Sequence, residues 1–136
     1  MKLSTRARYG ARLMLDLAIH YNKGQQLLKD IAQRQSVSDK YLWQLINPLK
    51  VAGLVSSTRG AHGGYNLAKK PSDITLREII ETLEGPLCIV ECVDNPEICD
   101  KAEECVTIGI WEEASNRLKE FFESISLQDM VEMSES

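Results

Sequence analysis

The stretch Ser38-Asp39-Lys40-Tyr41-Leu42-Trp43-Gln44-Leu45-Ile46-Asn47-Pro48-Leu49-Lys50-Val51-Ala52-Gly53 decides the fold. Ser38 is a ready N-cap, because its hydroxyl can accept from a backbone N–H that the first helical turn leaves without a partner. Leu42, Leu45 and Leu49 follow at spacings of three and four, an apolar stripe on one side of a helix running towards residue 52. Pro48 lies inside that helix, where it removes a backbone bond and is expected to bend or loosen the last turn. Gly53 ends it. Just upstream, Gln35-Ser36-Val37 reads as a tight turn, preceded by a short helix over 28–34 with Ile31 and Ala32 apolar. Earlier still, Leu3-Ser4-Thr5 followed by Ala7, Ala11, Met14, Leu15, Ala18 and Ile19 predicts a capped amphipathic helix that stops near Asn22-Lys23-Gly24.

Downstream the period changes. Leu54-Val55-Ser56-Ser57 and Tyr65-Asn66-Leu67 are short strand candidates on either side of Thr58-Arg59-Gly60-Ala61-His62-Gly63-Gly64, a glycine-rich loop with one arginine and one histidine. Helix, helix, turn, helix and basic hairpin make the outline of a winged helix-turn-helix. Pro71-Ser72-Asp73 breaks the chain, and Thr75-Leu76-Arg77-Glu78 is a capping-box pattern opening a helix that ends at Gly85-Pro86. The last helix carries Trp111, Ala114, Leu118, Phe121 and Ile125, a coiled-coil-like seam with Glu112, Glu113, Lys119, Glu120 and Glu123 facing away. Packing that seam on a second copy is the economical arrangement; packing on the first helix of the same chain is the alternative. The expected class is mainly α with a small β-wing, a winged helix-turn-helix plus a long C-terminal dimerisation helix. Residues 1–85 are read as the DNA-binding domain, 86–106 as a cysteine-rich cluster-binding loop, 107–128 as the dimerisation helix and 129–136 as a disordered tail.

At 136 residues with 43% apolar side chains the chain can bury a real core. No apolar run approaches the roughly 20 residues that span a bilayer. The stretch 9–21 is interrupted by Arg12 and Asp16 and lacks a cleavage pattern, so it does not read as a signal sequence. The expected compartment is the cytoplasm, where thiols stay reduced. The net charge of −4 conceals an asymmetry. Residues 1–70 hold 12 Lys and Arg against Asp16, Asp30 and Asp39, a balance of +9; residues 71–136 carry −13. A basic half attracts polyanions, although charge clustered on solvated helix faces would give the same figure.

A helix that reads the major groove needs polar or aromatic side chains near its N-terminus. Ser38, Asp39, Lys40, Tyr41 and Gln44 occupy that place. Tyr41 and Gln44, three apart, are expected to share an exposed face, with Lys40 beside them for phosphate. In the wing, Gly60 and its fellow glycines let the backbone approach a duplex, Arg59 can enter the minor groove or clamp phosphate, and His62 is a further DNA contact. Double-stranded DNA is the expected partner. No enzyme is expected. His20 and His62 are the only histidines, and neither sits in a nucleophile or acid–base set.

All four cysteines fall between 87 and 106: Cys88, Cys92, Cys99 and Cys105. The last three follow a C-x6-C-x5-C pattern. Thiolates suit iron–sulfur clusters, zinc or copper(I). Structural zinc usually places two cysteines two to four residues apart, and the wider spacing here favours a cluster. Four unligated thiols regulated by oxidation are the alternative.

The opening Met1-Lys2-Leu3-Ser4-Thr5-Arg6-Ala7-Arg8-Tyr9-Gly10 is similar to the start of the Rrf-two family of regulators (IscR, NsrR and CymR types). So is the run from Ser38 through Gly53-Leu54-Val55 to Arg59-Gly60-Ala61-His62-Gly63-Gly64-Tyr65. The resemblance covers residues 1–125 and implies a winged-helix homodimer on palindromic operators. It departs at Trp43, where the family usually has an acidic residue that helps reject certain operator bases; this puts base preference in doubt, and a partly buried Trp43 is one outcome. The resemblance also implies that Cys92, Cys99 and Cys105 hold an iron–sulfur cluster. The fourth ligand does not carry over, because Ile108 stands where some members place histidine, and Arg8 and Arg12 where others place a ligand on the first helix. Cys88, Glu103, Glu104 or a partner residue such as Asp16 are the remaining candidates. An open position suits [4Fe–4S] better than [2Fe–2S]. Two rivals stand beside this cluster-sensing regulator: a cluster-free regulator of the same fold that responds to thiol oxidation or a partner enzyme of cysteine metabolism, and an electron-transfer or cluster-carrier protein. The glycine-rich wing counts against the last.

Overall fold

The computed structural model describes residues 2–61, 63–89 and 106–135. Helix α1 (Thr5–Ile19) starts where Ser4 accepts from the Ala7 N–H at 3.0 Å. Helix α2 (Leu28–Gln35) and helix α3 (Asp39–Val51) are separated by a turn in which Ser36 takes a left-handed conformation (φ 55°). Ser38 caps α3 by accepting from the Tyr41 N–H at 3.1 Å. The helix continues through Pro48 to Val51, so the proline is accommodated in the last turn. The alternation of apolar positions explains why the three helices close on one another. Leu13, Met14 and Leu17 of α1, Ile31 of α2, and Leu42, Leu45, Ile46 and Leu49 of α3 are all buried in a common core.

Strands β1 (Val55–Thr58) and β2 (Gly64–Leu67) pair antiparallel, Val55 opposite Leu67 and Thr58 opposite Gly64. Tyr65 also bridges to Gln26 on its other side, with N–H to carbonyl bonds of 2.8 Å in both directions. The strands reach one residue later than the periodicity suggests on β1 and one earlier on β2, because pairing to Gly64 extends the ladder towards the loop. Gly64 has to be glycine on two counts. Its φ is +146°, and a Cβ there would stand 2.6 Å from the Gln26 carbonyl oxygen.

After a single 3-10 turn at Pro71–Asp73, helix α4 (Leu76–Glu84) opens with a complete capping box: Glu78 N–H to Thr75 Oγ1, and Thr75 N–H to Glu78 Oε1. Gly85 ends α4 with φ +96°. Helix α4 lies against α1, close enough that Leu83 occupies the space a Cβ on Gly10 would need. Helix α5 (Ile108–Glu123) covers the other side of α4, placing Leu118 and Phe122 on Ala7, Ile80 and Leu87.

The C-terminal region differs from expectation. Helix α5 stops at Glu123, and a separate helix α6 (Leu127–Glu135) occupies the stretch expected to be a disordered tail. Its start is built by reciprocal bonds of 3.0 Å between Ser126 and Asp129. Leu127 is fully buried, Met130 and Val131 pack on the main core, and the Leu127 N–H donates to Ile74. Burial of those side chains explains why the chain folds back. Ile125, expected on the dimer seam, is instead in the connector, where its carbonyl accepts from Leu76.

Candidate nucleic-acid interface

With Leu42, Leu45, Ile46 and Leu49 facing the core, the helical period turns Lys40, Trp43 and Gln44 outward, and all three are exposed. Tyr41 does not join them. It sits half-buried with its ring edge-on to Tyr9, centroids 5.9 Å apart, and its hydroxyl is buried without a hydrogen-bond partner. The aromatic side chain on the open face is Trp43, 52% exposed, and not Tyr41 as the spacing suggested. Tyr41 lies on the side of α3 that α1 covers; Trp43 lies on the other flank of the leucine stripe, half open to solvent.

Arg59 and Gly60 are exposed at the tip of the wing, with Gly60 at φ +104°. Gly63 is buried, and a Cβ on it would stand 2.3 Å from the Thr58 carbonyl oxygen, so the tight return of the wing depends on its lack of a side chain. His62 lies outside the described residues. Ser38 is exposed, but its hydroxyl is already accepting as the cap of α3.

Behind α3, a polar cluster ties the first two helices together. Asp16 is 4% exposed, and Arg34 reaches it with two bonds, Nη2 to Oδ1 at 2.7 Å and Nε to Oδ2 at 3.0 Å. Gln35 Nε2 donates to Oδ2 at 3.0 Å. Burial raises the Asp16 pKa, but hydrogen bonds from Arg34 and Gln35, with the charges of Arg34 and His20, outweigh it and hold the carboxyl below its ordinary value. Arg12 adds two bonds to Gln35, at 3.1 and 3.0 Å, and lies over the Tyr9 ring. An Asp16 so committed is not available to a metal on a partner copy.

Cys92, Cys99, Cys105, Glu103 and Glu104 lie outside the described residues. Among the described residues no group of three His, Cys, Asp or Glu is placed to hold a metal ion. The described ends of the cysteine segment are Ile89, whose N–H donates to the buried Ser115 Oγ at 3.0 Å, and Val106, which is exposed two residues before α5. Cys88 is half-buried just after α4. Beside this region a cavity of about 400 Å³ opens between α1, α4, α5 and α6, lined mostly by apolar side chains including Leu3, Ala7, Ile80, Phe122 and Met130. Ile110 and Phe121 on α5 are more than half exposed. No helix among the described residues is long and apolar enough to cross a membrane.

A basic three-helix unit with an outward recognition helix and a wing hydrogen-bonded to it defines a winged-helix DNA-binding regulator. The chain belongs to the Rrf2 family, described as iron-dependent transcriptional regulators, which it matches over residues 3–133. It is 43% identical over 131 residues to the protein rrf2 of Nitratidesulfovibrio vulgaris, covering 96% of this chain and 87% of that one. The structure of CymR, the global cysteine regulator of B. subtilis, superposes with a TM-score of 0.82 at 39% identity, covering 98% of both chains. T. potens IscR superposes with a TM-score of 0.80 at 42% identity, covering 98% of this chain and 88% of that one. The fold class read from the sequence agrees with these structures.

Proposed function

We propose that this chain acts as a cytoplasmic homodimer on palindromic operators, and that its DNA binding is set by an iron–sulfur cluster held by Cys92, Cys99 and Cys105, with [4Fe–4S] favoured over [2Fe–2S]. The observation that carries the proposal is the place of the cysteine segment: it joins α4, which packs on α1 of the DNA-binding unit, to α5, whose Ile110 and Phe121 stand uncovered. Three thiolates form a soft donor set suited to iron. When bound, the cluster would supply a centre sensitive to oxygen, nitric oxide or iron supply. The chain does the rest. The Ile89 N–H donates to Ser115 of α5, so what the cysteine segment holds bears directly on where α5 leaves α4. In a dimer built on α5, that angle sets the distance between two recognition helices, which must match about one DNA turn, roughly 34 Å. Lys40, Gln44, Arg59, Gly60 and His62 are the proposed DNA contacts, with Ser38 at the helix start.

The likeness to CymR, named a cysteine regulator, favours a second reading: a cluster-free regulator answering to thiol oxidation or a partner enzyme. Anaerobic purification separates them. The cluster reading expects a brown protein with iron and sulfide in near-equal amounts, whose colour is lost in Cys99→Ala while a folded dimer remains. A colourless, iron-free product after anaerobic reconstitution overturns it in favour of the second.

A further inference from the structure

Trp43 is an anomaly on the surface of α3. The helix has a complete apolar stripe in Leu42, Leu45, Ile46 and Leu49, all buried, and needs no further aromatic to hold it to the core. Trp43 nevertheless presents half its surface to solvent, on the open side of α3 that also carries Lys40 and Gln44 and within the +9 half of the chain. A large apolar ring sharing an open helix side with a cation and an amide, on the helix that a winged fold lays in the major groove, matches one feature of that groove. Each thymine projects an apolar C5-methyl there, beside adenine edges that a glutamine can read through N6 and N7. Trp43 and Gln44 are successive residues, about 100° apart around the helix, so they face neighbouring base pairs rather than the same one.

We propose that Trp43 is a specificity-determining residue that packs on the C5-methyl of a thymine in each operator half-site, with Gln44 reading an adenine next to it. The assignment rests on the DNA-binding reading of α3. It implies that the half-site carries adjacent A·T pairs under the second turn of that helix.

The test uses the full-length protein. An operator is first selected from random duplexes, and each thymine of a half-site is then replaced singly by deoxyuridine, which removes only the methyl. One replacement is expected to weaken wild-type binding about fourfold, the value of burying one methyl-sized group. In Trp43→Ala the same replacement should make no difference, while the slope of log affinity against log salt stays as in wild type. Trp43→Phe, which keeps an apolar ring, should retain part of the discrimination, and circular dichroism checks that both variants fold. Wild-type indifference to every deoxyuridine, with selected-operator binding intact, overturns the role of Trp43 and leaves the DNA-binding reading standing. Discrimination that survives in Trp43→Ala also overturns it and leaves the ring to some contact other than DNA. Selection that enriches no duplex overturns the reading of α3 and the proposal with it.

Discussion

Arg34 of α2 grips the buried carboxylate of Asp16 of α1 with two parallel bonds of 2.7 and 3.0 Å. The fork geometry is the strongest form of charge-assisted hydrogen bonding, and Gln35 takes a further position on the same carboxylate. Because α2 leads directly into the turn before α3, this pair sets how the helix-turn-helix sits on α1. Asp16→Ala removes the acceptor from three donors at once. Its expected cost is about 2 kcal/mol of folding stability, held down because Arg34 is partly open to water. Urea denaturation measures it, and a loss below about 0.5 kcal/mol would show the pair to be incidental.

The same carboxyl gives a pH signature. Its folded pKa lies below the unfolded value, so the stabilisation is complete above the unfolded pKa, near 3.9, and is lost as pH falls through the folded value. The stability gap between wild type and Asp16→Asn should therefore narrow as pH falls below about 4. A gap that widens on acidification would contradict the assignment.

Tyr41 makes the opposite expectation. Its hydroxyl is buried with no partner, so deleting it removes an unsatisfied polar group without disturbing the edge-on contact with Tyr9. Tyr41→Phe should leave stability unchanged or raise it by about 0.5 kcal/mol, and operator affinity should change less than twofold. A large loss of affinity would return Tyr41 to the reading face.

At the wing tip, Arg59 is exposed and free of ion pairs among the described residues. Arg59→Ala should weaken binding to every sequence alike and lower the slope of log affinity against log salt by about one. Fluorescence anisotropy at several salt concentrations checks this, and an unchanged slope would take the wing off the DNA backbone.

Gly64→Ala tests the seam between wing and helices. The added Cβ meets the Gln26 carbonyl oxygen at 2.6 Å in a backbone conformation that alanine disfavours, and both partners are main chain with nowhere to yield. A cost of about 2 kcal/mol or more is expected. Thermal denaturation reads it, and a near-neutral result would mean that the Gln26–Tyr65 bridge is dispensable.

Elements whose ends carry their own chemistry were legible without coordinates. Ser38 and Thr75 make the caps their positions announce, Gly85 takes a positive φ where α4 stops, and the wing follows from its glycines. What sequence spacing left open was settled by contacts between distant segments. Tyr41 and Trp43 flank the leucine stripe at similar angles, and only the arrival of Tyr9 from α1 determines which of them is covered. Helix α6 did carry a local signal, Ser126-x-x-Asp129, but the few apolar residues after it do not announce that Leu127 will be swallowed by the main core. The cluster ligands rest on pattern alone.

The pair of hydrogen bonds between Gln26 and Tyr65 stitches β2 to the connector between α1 and α2, while the Leu54 N–H donating to Leu49 ties the start of the wing to the end of α3. In the homodimer proposed above, a signal arriving through the cysteine segment is therefore expected to reach the operator as a change in the stance of each DNA-binding unit.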